Sequence, residues 1–351
     1  MYYVNPNIKE LYRTGYSESR KGFLKLDMNE NPVGLPNNFF ESVMKDITVE
    51  DLAMYTETAD LIKDLACLLN CSKENICLTN GSDDAIRLAL SVFGKPNSNI
   101  VSVSPSFEMY SVYSNMVGLV QKRIEYNDNF EIDIKDFVSL IDENTSIVTL
   151  LNPNSPIGRA WREEEVREVI EKARKYNAVV IIDEAYHYFY ENTFLSLFKE
   201  YDNVMIFRTF SKLYSIAGLR IGYIVGNHRI IDYIKRASSS YPVNCIAVKC
   251  AEAILKNPHI TGELISIEKE GREYLLETLK ENGYEYYYNG GNYVLIKSNK
   301  NPKEVFTELK KRKILIKTYG SDLLSNWIRI TTGDIESMKK FWEEFKEIDL
   351  G

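Results

Sequence analysis

The sequence predicts an α/β fold with a largely parallel sheet, followed by a smaller α+β region. From about Leu61 onward, segments with the apolar spacing of helices alternate with short apolar runs, which is the pattern of strand–helix–strand units. The run 178–182 is apolar throughout, as expected for a parallel strand covered on both faces. The chain has 351 residues, and at ~150 residues per domain this length favours two domains.

The elements of the first part follow one another in a regular order. The predicted helices are residues 61–70, 84–93, 109–118, 163–176 and a long one within 246–281. The predicted strands are residues 76–78, 100–103, 147–150, 179–182, 204–207 and 221–225. Helical periodicity separates the first group from the continuous apolar runs of the second.

Beyond residue 281 the pattern changes. Shorter strand-like runs at 284–288, 293–296, 314–316 and 328–331 are separated by the glycine pair 290–291 and by a helical segment, 302–312. A last helix is predicted from Glu336 to about Ile348. We therefore expect a large domain over residues 46–265 and a small α+β domain built from residues 1–45 and 266–351.

Composition excludes several classes of function. The chain carries 43 basic and 50 acidic residues, a net charge of −7, which argues against general binding to nucleic acid or to an anionic membrane. No apolar run reaches the ~18 residues of a membrane span, and no signal-peptide core is visible, so a cytoplasmic protein is expected. Five scattered cysteines and three single histidines match no metal-site spacing, so we expect no metal.

Polar or small residues follow four of the predicted strands. They are the segments 80–83, 152–158, 183–186 and 209–212. Ligands of open α/β sheets bind beyond the carboxyl ends of the strands. The sequence therefore predicts a binding site at this edge of the sheet.

Three of these segments carry groups with possible chemical roles. Asp183 is either a helix cap or solvated acid, or a carboxylate held beside a buried cation. Lys212 is either a solvated charge or an amine activated as a nucleophile, with Arg220 contributing positive charge and a fork for phosphate. Residues 81–83 precede a predicted helix, where they form an ordinary cap or an anion site.

Six motifs in order resemble the pyridoxal-phosphate aminotransferases of fold type I. They are Asn-Glu-Asn-Pro at 29–32, Gly-Ser-Asp at 81–83, Asn-Pro-Asn-Ser-Pro-Ile-Gly at 152–158, Asp-Glu-Ala-Tyr at 183–186, Ser-Lys at 211–212 with Ala-Gly-Leu-Arg at 217–220, and Arg-Ile-Thr-Thr-Gly at 329–333. The branch they resemble most is the histidinol-phosphate aminotransferase family, which also contains threonine-phosphate decarboxylases. The resemblance runs from about Asn29 to Met338 and implies the fold of this family, with a large domain and a smaller α+β domain.

The resemblance implies a role for each matching residue. Lys212 matches the lysine that holds pyridoxal 5′-phosphate covalently and later moves the substrate proton. Asp183 matches the aspartate that pairs with the ring nitrogen, and Tyr186 matches the tyrosine that hydrogen-bonds the ring O3′. The residues expected at the cofactor phosphate are Ser82, Asp83, Ser211 and Arg220, joined by Tyr55 from a neighbouring subunit. A shared site of this kind implies a homodimer, although Tyr55 could also be packed in the core.

An aromatic ring near Pro105 is expected to stack on the cofactor. Phe107 is the first choice and Tyr110 the second. The sequence also departs from the family, because Ser155 stands where an asparagine usually donates to O3′. Either the Ser155 hydroxyl or Asn154 is expected to replace it.

The residues expected at the substrate are Asn29, Lys317 and Arg329. Lys317 stands where the family tends to have an arginine, and lysine keeps the charge but loses the two-point geometry. Each cation has a structural alternative, a carboxylate partner for Arg329 and an exposed surface position for Lys317.

The resemblance implies an aminotransferase that moves an amino group between a small phosphate- or carboxylate-bearing amine or amino acid and a 2-oxo acid. A pyridoxal-phosphate lyase, such as a phospho-amino-acid decarboxylase, stays open as an alternative. A third reading is a cofactor-binding regulatory or scaffold protein, which the intact set Lys212, Asp183, Tyr186 and Arg220 argues against. A nicotinamide dehydrogenase is disfavoured because no G-x-G-x-x-G follows the first strand.

Overall fold

The computed structural model describes residues 2–9, 11 and 18–351. Its strands are β1 (Leu24–Lys25), β2 (Ile76–Thr79), β3 (Asn99–Ser104), β4 (Val120–Glu125), β5 (Thr145–Leu151), β6 (Val179–Asp183), β7 (Val204–Thr209), β8 (Gly222–Gly226), β9 (Tyr286–Tyr287), β10 (Tyr293–Lys297), β11 (Ile314–Leu315), β12 (Lys317–Thr318) and β13 (Trp327–Thr331). Its helices are α1 (Pro6–Lys9), α2 (Asn37–Lys45), α3 (Val49–Ala53), α4 (Ala59–Leu68), α5 (Gly81–Phe93), α6 (Glu108–Val117), α7 (Ile134–Ser139), α8 (Glu163–Lys175), α9 (Leu197–Glu200), α10 (His228–Ala237), α11 (Cys245–Lys256), α12 (Pro258–Glu281), α13 (Pro302–Lys311) and α14 (Ile335–Leu350).

A seven-stranded sheet with the order β2-β8-β7-β6-β5-β3-β4 forms the centre of the molecule. Its strands run parallel except β8, which is antiparallel to both of its neighbours. Every residue of β6 is buried, and separate apolar clusters cover the two faces of the sheet. The predicted α/β class with a mostly parallel sheet is confirmed.

The later part of the chain forms a second group of strands. A four-stranded antiparallel sheet has the order β12-β13-β10-β9, and β1 pairs in parallel with β11. A third apolar cluster fills the space between these strands and the helices, with Leu275 of α12 and Phe341 of α14 among its buried members. The boundaries expected for the two domains, 46–265 against 1–45 with 266–351, stay a prediction.

Each element predicted from the sequence occurs, with ends displaced by at most three residues. The long helix expected within 246–281 is two helices, because Pro258 lacks an amide donor and begins α12 as its first residue. Strand β4 was not expected. It lies at the edge of the sheet with no fully buried residue, so it lacks the apolar run that marks the central strands.

The sheet brings the predicted segments to one edge. The register pairs Leu151 with Asp183 and Asp183 with Phe207, so β5 and β6 end at one level and β7 continues two residues beyond it. Gly222 pairs with both Thr79 and Thr209, which places the start of β8 beside the ends of β2 and β7. Within the described ranges, no helix is long and apolar enough to cross a membrane.

Candidate active site

Asp183 is a buried acid at the end of β6. Its side chain is 4% exposed, so the solvated alternative does not hold. One carboxylate oxygen accepts from the Ala185 amide at 3.1 Å and the other from the Tyr110 hydroxyl at 2.9 Å. Burial raises the pKa of Asp183 to about 6, although the Tyr110 hydrogen bond and the positive charge of Lys212 act in the opposite direction.

The amine of Lys212 lies in the same region as Asp183. Its Nζ donates to the backbone oxygen of Met28 at 3.0 Å and lies 5.6 Å from the centroid of the Tyr186 ring. The charge on this amine is one of the influences that lower the pKa of the Asp183 carboxyl. The amine and the buried acid therefore belong to one site, as the motifs predict.

A positively charged pocket wall forms where α5 begins. Arg220 has left-handed backbone geometry, and its guanidinium packs so closely on Gly81 that a Cβ there would lie 2.5 Å from Nη2. A Cβ on Gly222 would lie 3.0 Å from the Ser82 nitrogen, so this position also excludes a side chain. Arg220 donates to the Ala217 carbonyl at 3.1 Å, and no carboxylate of the described chain lies within ion-pair distance of it. A cation thus meets a helix N-terminus, which is an arrangement suited to an anion.

The other residues expected at the phosphate lie around this wall. Ser82 and Asp83 belong to the first turn of α5. Ser211 is buried, and its hydroxyl accepts from the Thr209 hydroxyl at 2.9 Å. The structure therefore brings together four of the five predicted phosphate residues.

Tyr55, the fifth of them, lies elsewhere in this subunit. Its side chain is 75% exposed, and its ring stacks on Tyr241 with centroids 4.4 Å apart. Core packing is therefore excluded for Tyr55.

Phe107 caps α6 and is 38% exposed, whereas the ring of Tyr110 is buried and its hydroxyl contacts Asp183.

Tyr186 is held by Asn29 from the N-terminal part of the chain. The Asn29 amide donates to the Tyr186 hydroxyl at 2.8 Å, and the Tyr186 ring packs edge-on against Tyr293 with centroids 5.1 Å apart. Asn29 has a positive φ of 57°, and its backbone N–H donates to the Thr331 hydroxyl at 3.0 Å. The contact of Asn29 with substrate stays a prediction, but its contact with Tyr186 is direct.

Arg329 is a buried cation without an acidic partner. It is 7% exposed, donates to the Ser155 hydroxyl at 3.2 Å and to the Asp27 carbonyl at 2.7 Å, and leaves its buried Nε without a hydrogen bond. No carboxylate among the described residues lies within 4 Å of its guanidinium. The structural alternative of a carboxylate partner is therefore excluded for the part of the chain described.

Lys317 and Asn154, two further residues predicted at the site, differ in their exposure and partners. Lys317 pairs with Arg329 across β12 and β13, but its side chain is exposed. Asn154 is fully buried, donates to the Pro105 carbonyl at 3.0 Å and accepts from the Ser106 hydroxyl at 2.9 Å. Both polar ends of the Asn154 side chain are thus engaged within the protein.

Two contributions to this site were missed at the sequence level. Tyr319 lies over Arg329, with its ring centroid 6.0 Å from the guanidinium carbon. The backbone oxygens of Asp27 and Met28 accept from Arg329 and Lys212. A backbone acceptor has no side-chain signature, and a tyrosine two residues beyond Lys317 has no pattern that would separate it from a packing residue.

The residues present suit pyridoxal phosphate. The wall formed by Arg220 and the start of α5 would hold its phosphate, and the glycine at position 81 allows the Arg220 guanidinium to pack against the first turn of that helix. The buried Asp183 would gain a paired charge from a protonated ring nitrogen. The Lys212 amine lies within the same site and is a suitable group for covalent attachment of the aldehyde.

Comparison with known proteins agrees with this geometry. The family model for aminotransferase class I and II matches residues 21–345. The histidinol-phosphate aminotransferase of Brachyspira hyodysenteriae is 32% identical over 348 residues, covering 97% of this chain and 96% of that one. The crystal structure of the histidinol-phosphate aminotransferase from Clostridium acetobutylicum is 26% identical, with a TM-score of 0.84 over 93% of this chain and 99% of that one.

A second similar structure shows the fold with its cofactor. It is the histidinol-phosphate aminotransferase of Sinorhizobium meliloti in complex with pyridoxal-5′-phosphate, with a TM-score of 0.86, 21% identity, and coverage of 99% of this chain and 97% of that one. The chain therefore belongs to the class I and II aminotransferases, and it is a fold type I enzyme that uses pyridoxal 5′-phosphate.

Proposed function

We propose that the enzyme transfers the amino group of a small amine or amino acid that bears a phosphate or carboxylate to a 2-oxo acid, with histidinol phosphate as the first candidate donor. The observation that carries this proposal is the buried, unpaired charge of Arg329. The similarity to proteins named histidinol-phosphate aminotransferase supports the choice of donor.

Burying a charge without a partner costs several kcal/mol. Other largely buried arginines in the described chain avoid this cost, since Arg159 pairs with two glutamates, Arg208 with Glu184 and Arg272 with Glu268. Arg329 has hydroxyl and carbonyl acceptors instead, neither of which carries a charge. An anionic group of the substrate would provide the missing charge.

The proposed roles follow from where each side chain lies. When bound, the cofactor withdraws electrons from the substrate carbon that carries the amino group, which makes the hydrogen on that carbon acidic. Lys212 holds the cofactor and serves as the base that removes this proton from the substrate Cα. Asp183 keeps a proton at the ring nitrogen, and Tyr186 donates a hydrogen bond to the ring oxygen.

Ser155 is a better replacement for the family asparagine than Asn154. The Ser155 hydroxyl accepts from Arg329, so its own proton is free to be donated towards the ring oxygen. The Asn154 amide already donates to Pro105. We therefore assign the donor role to Ser155 and a supporting role in the loop to Asn154.

The proposal includes a homodimer in the cytoplasm. The large apolar side chains of Val49, Leu52, Met54 and Tyr55 are exposed within seven residues of sequence, and Tyr241 stacks on Tyr55. A second subunit would cover this surface and receive Tyr55 at its cofactor phosphate. The five cysteines are all free, which agrees with a reducing compartment. Light scattering at several protein concentrations tests the dimer.

A panel of amino donors tests the reaction. The holoenzyme is mixed, without a 2-oxo acid, with histidinol phosphate, phosphothreonine, glutamate or an aromatic amino acid, and the absorbance of the bound cofactor is followed. We expect the fastest conversion to the amine form of the cofactor with histidinol phosphate, and recovery of the aldehyde form on addition of 2-oxoglutarate. Release of carbon dioxide without cofactor conversion would contradict the proposal in favour of a lyase.

Lys212→Ala is the control for the panel. This variant is expected to bind the cofactor without a covalent bond, so borohydride should not fix the cofactor to the protein. Mass spectrometry after borohydride treatment distinguishes the two proteins. A cofactor fixed to another lysine in the variant would contradict the role of Lys212.

A further inference from the structure

Tyr319 presents a second unpaired donor beside Arg329. Its hydroxyl is buried and has no hydrogen-bond partner in the described chain, and its ring lies 6.0 Å from the Arg329 guanidinium carbon. Buried polar groups are normally hydrogen-bonded, because leaving one without a partner destabilises the fold. An unpaired hydroxyl at this position therefore requires an explanation.

The second observation is the Arg329 Nε, which is also buried and unpaired. The neighbourhood of these two donors contains the hydroxyl of Tyr186, whose proximity contributes to the raised pKa of Tyr319. Burial raises this pKa to about 12, so the Tyr319 hydroxyl keeps its proton at neutral pH and can only be charged in strong base. Two neighbouring side chains thus each present a buried donor that has no hydrogen-bond partner in the described chain.

We propose that Tyr319 binds the substrate, donating its O–H to the same phosphate or carboxylate that Arg329 binds. This inference rests on the proposed function, because it requires an anionic substrate at Arg329. A phosphate or carboxylate offers at least two acceptor oxygens, so one oxygen can accept from Arg329 while another accepts from Tyr319. Hydrogen bonds between a neutral donor and an ionised acceptor are stronger than those between neutral groups.

Tyr126 provides a matched control. Its hydroxyl is also buried without a partner, but its charged neighbour is Arg159, whose charge is already balanced by Glu131 and Glu165. Tyr126→Phe and Tyr319→Phe each remove one unpaired hydroxyl and keep the ring. The two variants should therefore have similar effects on folding and different effects on ligand binding.

The test uses the holoenzyme, in which the cofactor phosphate occupies the wall at Arg220. Succinate and inorganic phosphate serve as unreactive probes, and their binding is measured by calorimetry and by the shift in thermal unfolding. We expect Tyr319→Phe to weaken the binding of at least one probe by about tenfold. The KM for histidinol phosphate should rise by about the same factor. The affinity for pyridoxal phosphate should not change. Both phenylalanine variants should unfold at the wild-type temperature or above it, and Tyr126→Phe should bind the probes as the wild type does.

Two outcomes would overturn the inference. One is a Tyr319→Phe holoenzyme with wild-type probe affinity and wild-type KM. The other is a lower kcat with an unchanged KM, which would assign Tyr319 to the positioning of Tyr186. Arg329→Gln separates this failure from that of the proposed function. If Arg329→Gln loses the probes while Tyr319→Phe keeps them, only the role of Tyr319 fails. If both variants bind as the wild type does, the anion site itself is wrong.

Discussion

Asp183 and Glu184 are adjacent, buried acids with opposite surroundings. Glu184 accepts two hydrogen bonds from Arg208, at 3.0 and 2.7 Å, and one from the Phe194 amide at 2.6 Å. Asp183 accepts from a hydroxyl and an amide and has no arginine or lysine within ion-pair distance in the described chain. The described chain therefore balances the charge of Glu184 but places no cation within ion-pair distance of Asp183, which supports the proposed pairing of Asp183 with the ring nitrogen of the cofactor.

The same difference separates two buried arginines. Arg208 has Glu184 as its partner, whereas Arg329 has only neutral acceptors. Burial alone consequently does not identify the functional residues of this enzyme. Asp183 and Arg329, an acid and a cation assigned to the site, are the residues in which burial and the lack of a charged partner coincide.

Substituting Asp183 should give the largest loss of activity. Asp183→Asn keeps the shape but removes the charge opposite the ring nitrogen, so kcat should fall by about 10²–10³-fold. The cofactor-free variant should be as stable as the wild type or more stable, because a buried unpaired charge is removed. Steady-state kinetics and urea unfolding measure the two effects. Near wild-type kcat in the variant would contradict the role of Asp183.

The corresponding substitution at Glu184 should lower the stability of the fold. Glu184→Gln leaves Arg208 buried without an anion, which is expected to lower the free energy of unfolding by ~3–5 kcal/mol. Since Glu184 lies against Arg208 and Thr193, the folded fraction should keep its affinity for the cofactor. Urea unfolding and cofactor titration below the unfolding transition test this. If Glu184→Gln were as stable as the wild type but inactive, Glu184 would be a functional acid, which would contradict its assignment to stability.

The raised pKa of Asp183 predicts a pH dependence of stability in the cofactor-free protein. Its pKa rises from 3.8 to about 6 on folding, so between these values the folded state binds the proton more tightly than the unfolded state. Stability should therefore increase as the pH falls from 7 towards 4, by up to ~3 kcal/mol from this group. Asp183→Asn should lack this increment. If the free energies of unfolding of the wild type and Asp183→Asn changed in parallel between pH 4 and 7, the raised pKa of Asp183 would be contradicted.

Removing the Tyr110 hydroxyl should have a smaller effect on the same acid. The hydrogen bond from Tyr110 lowers the pKa of Asp183, so Tyr110→Phe should raise this pKa further and reduce the ionised fraction at neutral pH. We expect the dissociation constant of pyridoxal phosphate to rise by about tenfold. Fluorescence titration measures it, with Tyr126→Phe as the control for loss of a buried hydroxyl. Equal affinities in both variants would exclude a contribution of Tyr110 through Asp183.

The sequence predicted the residues that follow the central strands, because each lies next to an apolar run and its local pattern is visible. Asp183 and Lys212 are of this kind. The contacts that complete the site join distant parts of the chain, such as the one between Asn29 and Thr331, 302 residues apart. They depend on how the later strands pack over the sheet edge, and no local pattern encodes that packing.

The charge state of the site was also beyond the sequence. Whether Arg329 is paired can be decided only when all of its neighbours are known, since an arginine within a strand fits both a structural ion pair and a ligand contact. The choice between Asn154 and Ser155 was equally open, because it depends on the partners of Asn154 at Pro105 and Ser106. Composition and motif spacing reveal neither the partners of Arg329 nor those of Asn154.

Substituting Lys317 should have the smallest effect on substrate binding. This prediction extends the comparison to two cations, Lys317 and Arg329. Its Cα lies opposite that of Arg329, but its side chain is exposed, so solvent already balances its charge. Lys317→Ala should therefore change the KM for histidinol phosphate by less than about threefold at 0.15 M salt, since exposed charge pairs contribute little, whereas Arg329→Gln should raise it by about 100-fold or more. Measuring both variants at low and high salt separates a screened surface charge from a ligand contact. Equal KM values for Lys317→Ala and Arg329→Gln at every salt concentration would contradict this expectation. An exposed lysine would then contribute as much to substrate binding as a buried arginine. The lack of a charged partner would no longer distinguish the functional residues of this site.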